Sequence, residues 1–137
     1  MIYLESSALV TLVAQRQNSK ELRRFLDARS DRRTCTSTLG FVEAVRTCKR
    51  VGSFPDLMAS LVADHAEVML DNETWNAAAT LPGKARSVDA IHVASAEVLG
   101  PELTAFVTYD NRVATAAHAA GLPVVMPGVD LSSGRTS

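Results

Sequence analysis

The sequence predicts a parallel α/β sheet with helices on both faces, a three-layer α/β/α domain, and three observations carry that reading. Short β-prone runs alternate with helical stretches along the chain. The first run, Ile2-Tyr3-Leu4, is apolar throughout, as expected of a strand buried on both faces. Acids stand directly after two of the runs, Glu5 after the first and Asp110 after residues 104–109. In open α/β sheets, ligands gather outside the carboxyl ends of the strands.

Taken in order, residues 2–4 form the first strand, and Ser6 is placed to cap a helix over Ala8-Leu9-Val10-Thr11-Leu12-Val13-Ala14. Glu5 lies between them, either as a solvated acid facing a helix N-terminus or as part of a site. Residues 18–29 place Leu22, Phe25 and Leu26 at helical spacing with Lys20, Arg23 and Arg24 outside, an amphipathic helix with a basic face. Residues 33–36 read as a second strand leading into Ser37, a cap for a helix over 38–50. In that helix Leu39, Val42 and Val45 mark the expected buried face. Glu43 then falls about 40° from Leu39, at the edge of the core. Glu43 either pairs with Arg46 three residues on, or aims across the top of the sheet toward Glu5.

Gly52 closes the helix, and a turn leads to another with Leu57, Met58, Leu61 and Val62 apolar. Residues 67–70 read as a third strand. Asp71 or Asn72 caps a helix whose Trp75 is expected in the core, and Pro82-Gly83 ends it. The stretch from Lys84 to Gly100 has Ser87 as cap, Asp89 in the first turn and an almost wholly small or apolar body, hence a buried helix. Helix-dipole compensation or a metal ion accounts for an acid at its start. His92, three residues on, reads first as hydrogen-bonded core and second as a ligand. Residues 104–109 form a fourth strand and 111–120 an Ala-rich helix ending at Gly121. Residues 122–126 form a fifth strand, at an edge because Pro123 cannot donate to a ladder.

The chain has 137 residues, 47% of them hydrophobic, which suits one domain over 1–128 with a flexible polar tail over 129–137. No apolar run approaches the ~18 residues of a membrane span and no basic region precedes a secretory-type segment, so a cytoplasmic protein is expected. Cys35 and Cys48 match no zinc spacing and read as buried thiols. The net charge of −1 hides an asymmetry: residues 1–50 hold ten Lys/Arg against five Asp/Glu, and the remainder four against ten. A basic surface beside an acidic one suits a polyanion approaching a carboxylate site; solvated helix faces are the plainer account.

Four acids, Glu5, Glu43, Asp89 and Asp110, thus border strand ends or buried helices. Hard oxygen donors of this kind suit Mg²⁺ or Mn²⁺, and no His/Cys cluster competes for a softer ion. No Gly-rich phosphate loop is present, which argues against a nucleotide-binding Rossmann or P-loop protein. A receiver domain needs a lysine beside the acid, and Lys84, the only lysine after residue 50, follows no strand.

Four segments in this order, residues 2–10, 38–46, 86–96 and 107–112, resemble a PIN-domain ribonuclease of the VapC toxin type. The resemblance implies a metal-dependent endoribonuclease with a five-stranded parallel sheet, neutralised by a VapB-type antitoxin that covers the active-site groove, and forming a homodimer and a toxin–antitoxin hetero-oligomer. Carried over by position, the four carboxylates are Glu5, Glu43, Asp89 and Asp110, with Glu5 and Asp89 as direct ligands and Glu43 and Asp110 holding waters or a second ion. Ser7, Thr108 and Asn111 then orient the acids, while Arg46, Arg86 and Arg112 balance charge or grip RNA phosphate. Glu5 departs from the family pattern, which has Asp there, and moves the carboxylate by ~1.5 Å where Mg²⁺ tolerates little misplacement. The alternative is therefore a PIN-like module impaired in turnover that binds antitoxin, or binds RNA through Arg16, Lys20, Arg23, Arg24 and Arg33.

Overall fold

Ile2, Tyr3 and Leu4 are wholly buried, and the computed structural model, which describes residues 1–130, places them at the centre of the sheet. Strands β1 (Ile2–Leu4), β2 (Thr34–Ser37), β3 (Ala66–Val68), β4 (Ala105–Val107) and β5 (Val124–Val125) pair in parallel in the order β3-β2-β1-β4-β5. The central strand aligns Ile2 with Thr34 on one side and with Ala105 on the other. Helices α1 (Ser6–Ala14), α2 (Ser19–Asp27), α3 (Thr38–Val51), α4 (Leu57–Asp64), α5 (Asn72–Ala79), α6 (Ser87–Glu97) and α7 (Asn111–Ala119) supply the crossovers.

Strand alternation divides the core in two. Ile2, Leu4, Ala105 and Val107 pack with Leu9, Leu22, Phe41 and Leu61 on one face. Tyr3, Cys35 and Phe106 pack with Val93 and Val113 on the other. This is the three-layer α/β/α arrangement expected, with β5 at an edge. Cys35 and Cys48 are buried free thiols, and burial pushes the Cys35 thiol up to about 11. None of the helices among the described residues is long and apolar enough to cross a membrane. The tail expected over 129–137 lies outside the described residues from position 131 on.

Several local expectations are corrected. The second strand is shifted by one residue, to Thr34–Ser37, and three are shorter than the β-prone runs: the third covers 66–68, the fourth 105–107 and the fifth only 124–125. Glu5, not Ser6, caps α1, its side chain accepting from the Ser7 N–H. Arg86, not Ser87, occupies the cap position of α6, and it makes no side-chain cap bond. In α3 the buried face is Gly40, Phe41, Ala44 and Cys48, while Val42 is 43% exposed. The face is rotated because Gly40, whose N–H bonds the Ser37 cap, lies so close to the buried Thr36 hydroxyl that a Cβ there would meet it at 2.0 Å. Only a glycine allows this approach. Trp75 is 46% exposed and not core, since small residues and Thr74 make the packed side of α5. Met58 and Val62 of α4 are likewise exposed. Gly52 ends α3 in extended backbone, not in the left-handed region.

Candidate active site

Three helices begin or turn inward at the carboxyl ends of β1, β2 and β4, and each brings an acid with it. Glu5 is fixed by its backbone on both sides: its N–H donates to the Val107 carbonyl at 2.9 Å and its own carbonyl receives Ala8 at 2.8 Å. The carboxylate folds back as the α1 cap and is 3% exposed by residue. Its Oε1 accepts from the Ser7 N–H at 3.2 Å, from the Thr108 hydroxyl at 2.7 Å and from the Ser7 hydroxyl. Its Oε2 accepts from the Ser6 hydroxyl at 2.7 Å.

Glu43 comes from α3, half-buried, and shares the Ser6 hydroxyl at 3.1 Å. His92 Nε2 lies 2.6 Å from Glu43 Oε1 and 3.9 Å from Glu5 Oε2. Glu5, Glu43 and His92 can each offer a ligand atom, all within 4.8 Å of one another. Burial works to raise the Glu43 pKa, but the hydrogen bond to His92, the Ser6 hydroxyl and the Arg86 guanidinium outweigh it and hold the carboxyl below its ordinary value. Glu43 therefore takes the cross-sheet orientation and does not pair with Arg46, which is exposed and bonds none of the four acids.

Asp89 and Asp110 form a second pair around one guanidinium. Asp89, in the first turn of α6 and 2% exposed, receives Arg86 Nε on Oδ2 and a terminal Arg86 nitrogen on Oδ1, each at 2.9 Å. The latter nitrogen lies 3.6 Å from Asp110 Oδ2. Asp110 caps α7 by accepting from the N–H groups of Arg112 at 2.9 Å and Val113 at 3.4 Å. Its own N–H donates to the Thr108 hydroxyl at 3.0 Å, and that hydroxyl also serves Glu5. Thr108 thereby ties the two pairs together, and the two acids of Asp89 and Asp110 in turn raise the Arg86 pKa.

Of the residues expected to support the acids, Ser7, Thr108 and Arg86 do so directly. Arg112 contributes its backbone N–H, and its side chain lines a groove of about 640 Å³ with Lys84, Arg86 and Asp89. The Asn111 side chain is exposed, and Arg46 lies apart. Among the basic residues of the first half, Arg16 shares a cleft of about 390 Å³ with Ser7, Tyr109 and Asp110. Sequence reasoning offers Ser6 only as a helix cap and Tyr3 only as strand core, and it gives no partner for the hydrogen-bonded His92. His92 had been read as core, and it is, but its two partners are 49 and 89 residues away.

A family model described as PIN domain matches residues 2–119. The chain is 43% identical over 136 residues to Ribonuclease VapC35 of Mycobacterium tuberculosis (strain ATCC 25618 / H37Rv), covering 93% of this chain and 98% of the relative. It is 38% identical over 133 residues to Ribonuclease VapC47 of Mycobacterium tuberculosis (strain CDC 1551 / Oshkosh), with 93% and 98% covered. Ribonuclease VapC46 of strain ATCC 25618 / H37Rv is 34% identical over 128 residues, with 92% and 97% covered. A solved structure described as FitAB bound to an IR36 DNA fragment superposes with a TM-score of 0.62 at 16% identity, covering 93% of this chain and 95% of that one, a likeness of fold. Family model, relatives and fold agree with the resemblance carried by the four segments, and the chain belongs to the PIN-domain family, in its VapC-type branch.

Proposed function

We propose that this chain is a toxin endoribonuclease that hydrolyses RNA phosphodiester bonds with Mg²⁺ or Mn²⁺, using Glu5, Glu43, Asp89 and Asp110. The carrying observation is the convergence of Glu5 and Glu43 on one serine hydroxyl, beside an Asp89–Asp110 pair joined to them through Thr108. The names of the relatives, all ribonucleases, support the reaction class. The donor set fits a hard divalent cation, since carboxylate oxygens dominate it and a buried acid beside a half-buried one favours a compensating positive charge. When bound, such a cation lowers the pKa of a water and offsets charge developing on the phosphate.

The chain's own residues supply the rest. Glu5 and Asp89 are assigned as direct ligands, with Glu43 and Asp110 orienting waters or a second ion. Ser6, Ser7 and Thr108 hold the Glu5 carboxylate so that little reorganisation accompanies binding. Arg16, Lys84 and Arg112 border the acids and are assigned to RNA phosphates. In the hydrolysis, a water attacks phosphorus in line, the opposite P–O bond breaks, and the leaving oxygen takes up a proton.

A VapB-type antitoxin is the assigned partner, covering the acidic groove. A homodimer is assigned as well, supported by Val51, Met58 and Val62, exposed apolar side chains of α3 and α4. The test is cleavage of an RNA pool by the antitoxin-free chain, with Mg²⁺ or with EDTA, in the native sequence and in Asp89→Asn. Cleavage that needs the cation and is lost in the variant is expected; EDTA-resistant cleavage, or full activity in Asp89→Asn, would overturn the assignment.

A further inference from the structure

His92 is the one fully buried histidine among the described residues, and it stands between the sheet core and the acids. We infer that His92 is a positioning residue of the acidic pocket: its Nε2–H holds the Glu43 carboxylate while the Tyr3 hydroxyl holds its Nδ1, so it acts through Glu43 and does not itself bind a metal ion. This rests on the proposed function only in that Glu43 belongs to the working site.

The hydrogen bonds set the roles. Nε2 is 2.6 Å from Glu43 Oε1, and Nδ1 is 2.8 Å from the Tyr3 hydroxyl. An ionised carboxylate only accepts, so the nitrogen facing it carries a proton and has no lone pair left for a metal. Glu43 Oε1 also accepts from the Ser6 hydroxyl at 3.1 Å, so the oxygen facing Nε2 is an acceptor on both sides. On the other side, burial pushes the Tyr3 phenol far up, and it keeps its proton to donate to Nδ1.

Tyr3 is itself locked. Its ring stacks on Phe106 with centroids 5.1 Å apart and 3° between planes, and meets the imidazole edge-on at 6.0 Å and 80°. A rigid chain of contacts therefore runs from Phe106 in β4 through Tyr3 in β1 and His92 in α6 to Glu43 in α3. One helix also supplies both an acid and a clamp, since Asp89 lies three residues before His92. Each link takes its orientation from the one behind it, and the flexible end of Glu43 is fixed without using a metal coordination position.

Two measurements test this on the full chain. In protein labelled with ¹⁵N-histidine, long-range ¹H–¹⁵N correlations report which ring nitrogen bears the proton, and the His92 signals are those lost in His92→Gln. A proton on Nε2, present in metal-free protein and retained at saturating Mg²⁺, is expected. A bare Nε2 in either state would overturn the inference and make His92 a ligand. This reading needs no cleavage, so it stands or falls apart from the proposed reaction.

In kinetics, His92→Leu should lower kcat by about 10–100-fold with the KM for RNA unchanged. His92→Gln, which keeps an N–H close to the Nε2 position, should restore kcat to within about threefold of native, given that range. Equal losses in the two folded variants, or no loss in either, would also contradict the assignment, with thermal melts reporting that each variant folds.

Discussion

Glu5 and Glu43 are held by hydroxyls and an imidazole, whereas Asp89 and Asp110 share a half-exposed guanidinium. The inner pair has hydrogen bonds in abundance but no permanent cation in contact. The outer pair is partly neutralised by Arg86 before any ligand arrives. In the first arrangement a buried carboxylate stands beside a half-buried one with no arginine or lysine in hydrogen-bond contact, the setting in which the proposed divalent ion would add the most. In the second, the guanidinium both orients Asp89 and competes for its oxygens, as an arginine fork does for any carboxylate.

The largest effect should come from Asp89→Asn. It removes the charge of an acid proposed as a direct ligand, and since even an outer hydrogen-bond partner is worth ~10–100-fold, Mg²⁺-dependent cleavage should fall by at least ~100-fold. Metal-free stability should drop slightly, because the Arg86 guanidinium loses its buried counter-charge; thermal melts check this. Glu5→Gln should lower Mn²⁺ affinity by roughly 10–100-fold, measured by calorimetry. In contrast to Asp89→Asn, it should leave metal-free stability unchanged or raised, since it relieves repulsion with Glu43. If both substitutions destabilised the metal-free protein equally, the distinction between the pairs would fail.

How much of this was legible without coordinates follows from where each signal lies along the chain. Glu5 and Asp110 sit next to apolar runs, and Ser37 and Asp71, the latter beside Asn72 as an alternative, are readable as caps because a cap is set by its neighbours in sequence. The central first strand and the edge position of the fifth followed from the apolar run at residues 2–4 and from Pro123, whereas the order of the strands comes from the structure. The Glu5 cap was missed because Ser6 carries the more usual capping side chain, whereas here Glu5 loops back to Ser7 and leaves the Ser6 hydroxyl to bridge two acids. Trp75 was assigned to the core on helical spacing, but spacing identifies a face and not what covers it. His92 shows the general obstacle: its meaning lies in contacts with Tyr3 and Glu43, which no local pattern encodes.

Smaller effects sharpen the comparison further. Arg86→Gln removes a positive charge beside both Asp89 and Asp110. Screened by water at this half-exposed position, the loss of that charge should raise Mn²⁺ affinity by about two- to fivefold. A fall would mean that the guanidinium acts only to hold Asp89 in place.

The inner pair also has a pH signature. With its folded pKa lowered, Glu43 contributes stability that is present above the unfolded carboxyl value and lost as pH falls through the folded one. Melting curves between about pH 5 and pH 3 should therefore lose less in Glu43→Gln than in the native chain. Smallest of all, Glu5→Asp keeps a capping carboxylate and should change stability by under ~1 kcal/mol. It should change Mn²⁺ affinity by about threefold or less, whereas a tenfold gain would show that the longer side chain weakens the site.

The most direct test is diffraction from crystals grown with Mn²⁺, using its anomalous signal to locate the ion. An anomalous peak in the pocket, about 2.2 Å from carboxylate oxygens of Glu5 and Asp89 and not bonded to His92, is expected. A saturated crystal with no peak among the four acids, or with Mn²⁺ bound only elsewhere, would contradict a metal-dependent site built from these two pairs.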